Sequence, residues 1–261
     1  MTNQVAAISE IFSSLQGEGT HLGERHLFLR FESCNIHCEY CDELGKPGYD
    51  FDLDSVVESL IKLDQELGSH PYVSLTGGEP LVYVSFLKPL LPRLKEIGFK
   101  IYLETNGILW KALEQVISLT DVVAMDVKPA SVTQERSFLK QHEAFLKIAL
   151  QKETFIKMIC SKEIDLDEFR ELCCMIREVT TRHCERSEAI PSTEIASASI
   201  GTLPRNDGSG VPLILQPISG EIEGHEDSEL MRLLGELQVI GLGILKDVRI
   251  VPRLHKILKI R

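Results

Sequence analysis

The stretch 26–43, HLFLRFESCNIHCEYCDE, joins an apolar run to three cysteines, Cys34, Cys38 and Cys41, spaced C-x3-C-x2-C. The run HLFLRF (26–31) reads as a β-strand, and further strand candidates follow at YVSL (72–75), KIYLE (100–104), VVAMDV (122–127), TFIKMI (154–159), LILQ (213–216) and VRIV (248–251). Helical patterns lie between them. Val56, Val57, Leu60, Leu63 and Leu67 recur at helical spacing before Gly68; Phe86, Leu87, Leu90, Leu94 and Ile97 do so before Gly98. Phe169, Leu172, Cys173 and Ile176 form a third apolar stripe on a helix opening near Asp165. This alternation predicts an α/β fold with a largely parallel sheet. Too few βα units are visible for an eight-fold barrel, so a partial, open parallel β/α barrel is expected.

The unusual polar sequences fall at strand C-terminal ends: CNIHCEYC after the first strand, then TGGEP, ETNG, DVKP, CSK and QP after the next five. In a parallel α/β barrel that end is where loops converge on the active site. Three clustered cysteines with no fourth nearby leave one iron of a 4Fe-4S cubane open to an exchangeable ligand. The alternative is a zinc knuckle completed by His37 or Cys160. Cys173 and Cys174 sit in a helical apolar pattern and read as small core residues.

Seven cysteines in this arrangement, with no secretory pattern at the start, suit a reducing, cytoplasmic setting. A formal net charge of -11 argues against a nucleic-acid surface, and no apolar run approaches membrane-spanning length. The 261 residues are expected to form a single domain. Within it, residues 181–210 are polar, turn-rich and weakly periodic, and include Cys184; they read as a disordered insertion, with a functional lid as the rival. The segments RHCERSEAI and LPRNDG resemble translated dispersed repeats found in bacterial genes.

The cysteine spacing with TGGEP resembles the radical S-adenosylmethionine (SAM) enzymes, and ISEIFSSLQGEGTHLGERHLFLRFESCNIHCEYCD resembles the 7-carboxy-7-deazaguanine synthases almost position by position. The likeness runs through ETNG and QP to the terminal LHK and spares only the insertion. It implies a barrel of the radical SAM type in which Cys34, Cys38 and Cys41 hold the 4Fe-4S cluster. The open iron chelates SAM, whose cleavage gives a 5'-deoxyadenosyl radical. It also implies ring contraction of 6-carboxy-5,6,7,8-tetrahydropterin to 7-carboxy-7-deazaguanine with loss of ammonia, on the way to queuosine.

By the same resemblance Leu15, Gln16, Gly17, Arg30 and Thr76 bind the pterin, Arg30 through its carboxylate. SAM is assigned to Tyr40, Cys41, Asp42, Gly78, Glu79, Glu104 and Asn106, to Asp126, Val127 and Lys128, and to Gln216, Pro217, Ile218 and Ser219. Gly77 and Gly78 would let backbone approach the ligand closely. Glu18 and His255 are weaker candidates. The family's magnesium-binding threonine after Cys-Asp is here Glu43, whose carboxylate either takes the Mg2+ or faces solvent. A homodimer and an electron donor such as flavodoxin are implied partners. Two other functions share the cysteine logic: a glycyl-radical activase, which leaves SLQGEG unexplained, and a non-enzymatic iron-sulfur or zinc module.

Overall fold

The computed structural model describes residues 4–43, 45–188, 210–218 and 228–253. Its core is one nine-stranded sheet in the order β3-β1-β2-β4-β5-β6-β7-β8-β9. The strands β2 (Arg25–Phe31), β4 (Tyr72–Gly77), β5 (Lys100–Thr105), β6 (Val122–Val127), β7 (Glu153–Cys160), β8 (Leu213–Pro217) and β9 (Val248–Ile250) all run parallel. Among the described residues the two ends of the order do not pair, so the barrel is open. Every strand read from the sequence is present.

Two strands escaped that reading. β1 (Val5–Leu15) pairs antiparallel with β2 and with β3 (Tyr49–Asp52). A register shift between Ile8 and Glu10 breaks the alternation that would have marked β1, and β3 is four half-exposed or exposed residues. Asp52 ends β3 and caps α1 (Leu53–Leu67), accepting a bond from the Ser55 amide at 2.9 Å.

Each helix packs on the outer face of the sheet. α1, α2 (Val84–Ile97), α3 (Trp110–Val116), α5 (Leu139–Ala149), α6 (Leu166–Glu188) and α7 (Ser228–Leu242) cover outward residues such as Leu29, Leu75, Leu103, Met125, Met158 and Leu215, all at most 1% exposed. α4 (Ala130–Thr133) is a single turn beside the site. Gly98 ends α2 at φ 109°, a left-handed cap that glycine adopts without steric cost. Asp165 opens α6 by accepting from the amides of Asp167 and Glu168. That helix corrects the expected insertion boundary: residues 181–188 are helical, continuing a run of helix-forming Arg and Glu with an Arg182–Glu178 pair at 3.7 Å. Residues 189–209, where the rest of the insertion reading falls, lie outside the described residues, as do Ser219 and His255.

The inward faces differ from the outward ones. Near the strand starts, Tyr72, Tyr102, Val122, Ala124, Phe155 and Ile214 form a second apolar cluster that closes the barrel floor. Above it the inward positions turn polar: Arg30, Thr76, Glu104, Asp126, Lys157 and Gln216, each on a different strand.

Candidate active site

The loop after β2 carries the three cysteines to the mouth of a cavity whose walls include Arg30, Thr76, Glu104, Asp126 and Lys157. Cys38 is buried and Cys34 and Cys41 are exposed. Burial pushes the Cys38 thiol up to about 11, against the pull of the Lys128 ammonium. Cys160, a possible fourth ligand of a zinc knuckle, is fully buried beneath the outer helices.

The Gly-Gly turn after β4 is locked to the root of this loop. Gly78 N–H donates to Phe31 O and Glu79 N–H to Ser33 O, each at 2.8 Å. A Cβ on Gly77 would strike the backbone of Phe31, and one on Gly78 the carbonyl of Ser33. The chain's own backbone therefore demands glycine at both positions, which also line the cavity. Glu79 is held from within the fold. Its carboxylate is fully buried and accepts from Leu81 N at 3.0 Å, Asn106 N at 2.8 Å and the Thr105 hydroxyl at 2.9 Å, which ties β4 to β5 below the cavity. Burial raises it to about 7, opposed by these bonds.

Glu104 faces the cavity. Gln16 Nε2 donates to its Oε1 at 2.9 Å and the Thr76 hydroxyl to its Oε2 at 3.0 Å. Burial raises its pKa, and the charge of Lys157 opposes the rise. Gln16 reaches this point because the turn after β1 folds up into the barrel. Its amide donates to Glu24 O at 2.7 Å, and its side-chain carbonyl accepts from Glu18 N at 3.1 Å. Arg30 lies 4.9 Å over the Phe12 ring, pairs with Glu10, and approaches Glu43 at 3.6 Å. β2 is an inner strand of the sheet, so Arg30 is not an edge charge.

Two lysines complete the wall, Lys157 buried and Lys128 half-buried. Lys128 Nζ contacts Asp126 at 2.9 Å and the Tyr40 hydroxyl at 3.2 Å. Burial alone would lower its pKa; the Asp126 and Tyr40 groups more than offset that and hold it well above the ordinary value. Lys157 pairs with Glu18 and stands 3.9 Å from Asp126. Arg253 pairs with Asp42 at 2.9 Å and Glu18 at 3.2 Å, linking the C-terminal segment to the cysteine loop.

The Radical SAM superfamily model matches residues 29–182. The chain is 31% identical to the 7-carboxy-7-deazaguanine synthase of Geobacter sulfurreducens over 98% of both chains. It is 30% identical to that of Methanopyrus kandleri over 96% of this chain and 92% of the relative. The chain belongs to the 7-carboxy-7-deazaguanine synthase family of radical SAM enzymes. The solved structure of QueE from Escherichia coli shares the fold, with a TM-score of 0.54 at 19% identity over 96% of this chain and 95% of that one.

The cofactors of this superfamily, a 4Fe-4S cluster and SAM, fit the residues present. In a cubane three thiolates bind three of the irons and leave the fourth open, which suits three cysteines on the wall of one cavity. Asp126 Oδ1, on the cavity wall, is buried without a hydrogen-bond partner among the described residues, which fits a polar ligand atom there.

Of the residues expected at the site, Leu15, Gln16, Gly17, Arg30, Cys34, Cys38, Tyr40, Cys41, Asp42, Glu43, Thr76, Gly78, Glu104, Asn106, Asp126 and Lys128 line the cavity, as does Glu18. Val127 does not: it points outward into the helix-covered core, so only its backbone is near. Gln216, Pro217 and Ile218 close β8 beside the cavity without lining it. Lys157 and Arg253 were missed. Lys157 had a signal, being the single charge within the apolar run TFIKMI; Arg253 follows the last strand and had none.

Proposed function

We propose that this chain binds 6-carboxy-5,6,7,8-tetrahydropterin in this cavity and contracts it to 7-carboxy-7-deazaguanine with release of ammonia. The observation that carries the reading is the convergence of Gln16, Thr76 and Glu104 into one hydrogen-bonded patch facing the same cavity as Arg30 and the three cysteines. When bound at Cys34, Cys38 and Cys41, the cluster with SAM supplies the radical that removes a hydrogen atom from the substrate.

The chain's own residues bind and orient. Arg30 takes the pterin carboxylate through its planar fork, exchanging Glu10 or Glu43 for the ligand. Glu104 was expected at SAM, but its two partners are both pterin candidates, so we place it with them, accepting from the ring's N–H edge while Gln16 turns to an adjoining position. Asp126, Lys128, Tyr40 and Gln216 face SAM, and Glu79 acts by holding the backbone that does so. The aromatic floor of Tyr72, Tyr102 and Phe155 keeps water from entering beneath the substrate. Glu43 is the magnesium candidate: Oε1 is taken by Lys46 at 2.8 Å, and Oε2 is buried without a hydrogen-bond partner among the described residues.

The test is anaerobic reconstitution with SAM and the carboxypterin, with the 7-deazaguanine product read by mass spectrometry. Glu104→Gln is expected to keep SAM cleavage without substrate and to lose substrate binding. Unchanged pterin affinity in that variant would remove the patch from the reading.

A further inference from the structure

At the strand starts, on the far side of the barrel from the cysteines, His21, Glu24 and His26 offer three ligand atoms all within 4.8 Å of one another. The geometry around them is that of a supported metal site. His21 Nε2 lies 2.9 Å from Glu153 Oε1, and His26 Nδ1 lies 2.7 Å from the Ser74 hydroxyl. These contacts occupy the far nitrogen of each ring and aim the near nitrogens, His21 Nδ1 and His26 Nε2, at one oxygen, Glu24 Oε2, at 3.0 and 3.8 Å. Ligating histidines are held this way, one nitrogen on the metal and the other on a carboxylate or hydroxyl.

The second observation is His26 itself. Its side chain is 0% exposed, and its Nε2 has no hydrogen-bond partner among the described residues, the 3.8 Å to Glu24 being too long for one. A buried imidazole nitrogen without a bond is costly unless something else accepts its lone pair. Two ligands each about 2.0–2.1 Å from a tetrahedral zinc stand about 3.3 Å apart, between the two distances found here.

We propose that His21, Glu24 and His26 bind a divalent cation of the zinc class, with Glu153 and Ser74 as the supporting partners. The ion would be structural. It would pin the turn joining β1 to β2, whose opposite face delivers Gln16 and Glu18 to the active-site cavity, and that turn is otherwise closed by the bonds Gln16 N to Glu24 O at 2.7 Å and Gly23 N to Gln16 O at 2.8 Å. The alternative is an ion-pair network, with His21 as an imidazolium between Glu24 and Glu153.

The test uses the full-length, cluster-reconstituted enzyme, freed of loose metal by a mild chelator, equilibrated with zinc chloride and desalted. Elemental analysis is expected to give about one zinc per chain, retained when Cys34, Cys38 and Cys41 are all changed to Ala and lost in Glu24→Gln and His26→Gln. Glu24 is half exposed, so its variant folds even if the buried His26 variant does not. Ser74→Ala is expected to weaken zinc affinity about tenfold. Absence of retained zinc in the parent, or equal retention in Glu24→Gln, would overturn the proposal and leave the ion-pair network.

Discussion

The mouth and the floor of this barrel are built from the same strands and bury titratable groups in opposite ways. At the mouth, charges sit in pairs, Lys157 with Glu18 and Lys128 with Asp126, and polar atoms of Asp126, Gln216 and Glu43 have no hydrogen-bond partner among the described residues. At the floor, His21 and His26 pack edge-on or tilted against Tyr72 and Tyr102, at centroid distances of 4.8–5.4 Å. Charge pairs with spare capacity suit a surface that exchanges its partners with arriving ligands. An aromatic layer with oriented rings suits a surface that holds still.

The largest effect expected is at the mouth. Cys38→Ala should abolish SAM cleavage and cluster iron, measured by iron content and by 5'-deoxyadenosine formation, because the cubane loses a required thiolate. Tyr102→Leu at the floor should leave iron content unchanged, and equal iron loss in both would erase the distinction between the ends.

Next is Lys157→Met, which takes from Glu18 one of its two cationic partners and leaves Arg253 at 3.2 Å. The loss is expected to fall below the roughly 3–5 kcal/mol of a buried charge stripped of every partner, and is readable as a fall in the denaturant midpoint. The double change with Glu18→Gln should recover most of it, and a failure to recover would mean that Lys157 matters through packing alone.

Arg30→Lys should weaken pterin binding by about tenfold, or about 1.4 kcal/mol, with uncoupled SAM cleavage intact. Calorimetry with the carboxypterin decides it, since equal affinity would remove Arg30 from substrate recognition.

The smallest effect is a pH slope. His26 and His142 are both held neutral by burial, with pKa values lowered to about 4. His142 Nδ1 donates to Gly107 O at 3.0 Å, and its Nε2 accepts from Lys128 N–H at 3.2 Å. Their stabilisation is present above the unfolded value of about 6.5 and is lost as pH falls towards 4. Melting temperatures from pH 7 to 4 should therefore decline, and His142→Gln should flatten the decline. An identical slope in that variant would place the acid sensitivity elsewhere.

What the sequence made legible follows from burial. Parallel strands covered on both faces read as apolar runs, so β2 and β4 to β9 stood out, and the polar segments at their ends marked the mouth. β1 did not, because its register shift interrupts the period on which recognition depends, and β3 is too short to show one. The cysteines were legible from their spacing, whereas Gln16, Arg30 and Thr76 came only from the family resemblance. The backbone contacts of Gly77, Gly78 and Glu79 were not legible, since what they touch, residues 31–33 and Thr105–Asn106, is distant in sequence. His21 and His26 gave no signal either, their spacing of five matching no ligand motif until the turn brings them together.

The splice between the Gly-Gly turn and the root of the cysteine loop bears on repair. Oxygen strips iron from exposed clusters, and a thiol-bearing loop left without its cluster has lost its main constraint. Here the bonds from Gly78 to Phe31 and from Glu79 to Ser33 belong to the sheet, not to the cluster, so the loop's anchor survives demetallation. The chain at the base of the cysteine loop is thereby held by backbone bonds that need no cofactor.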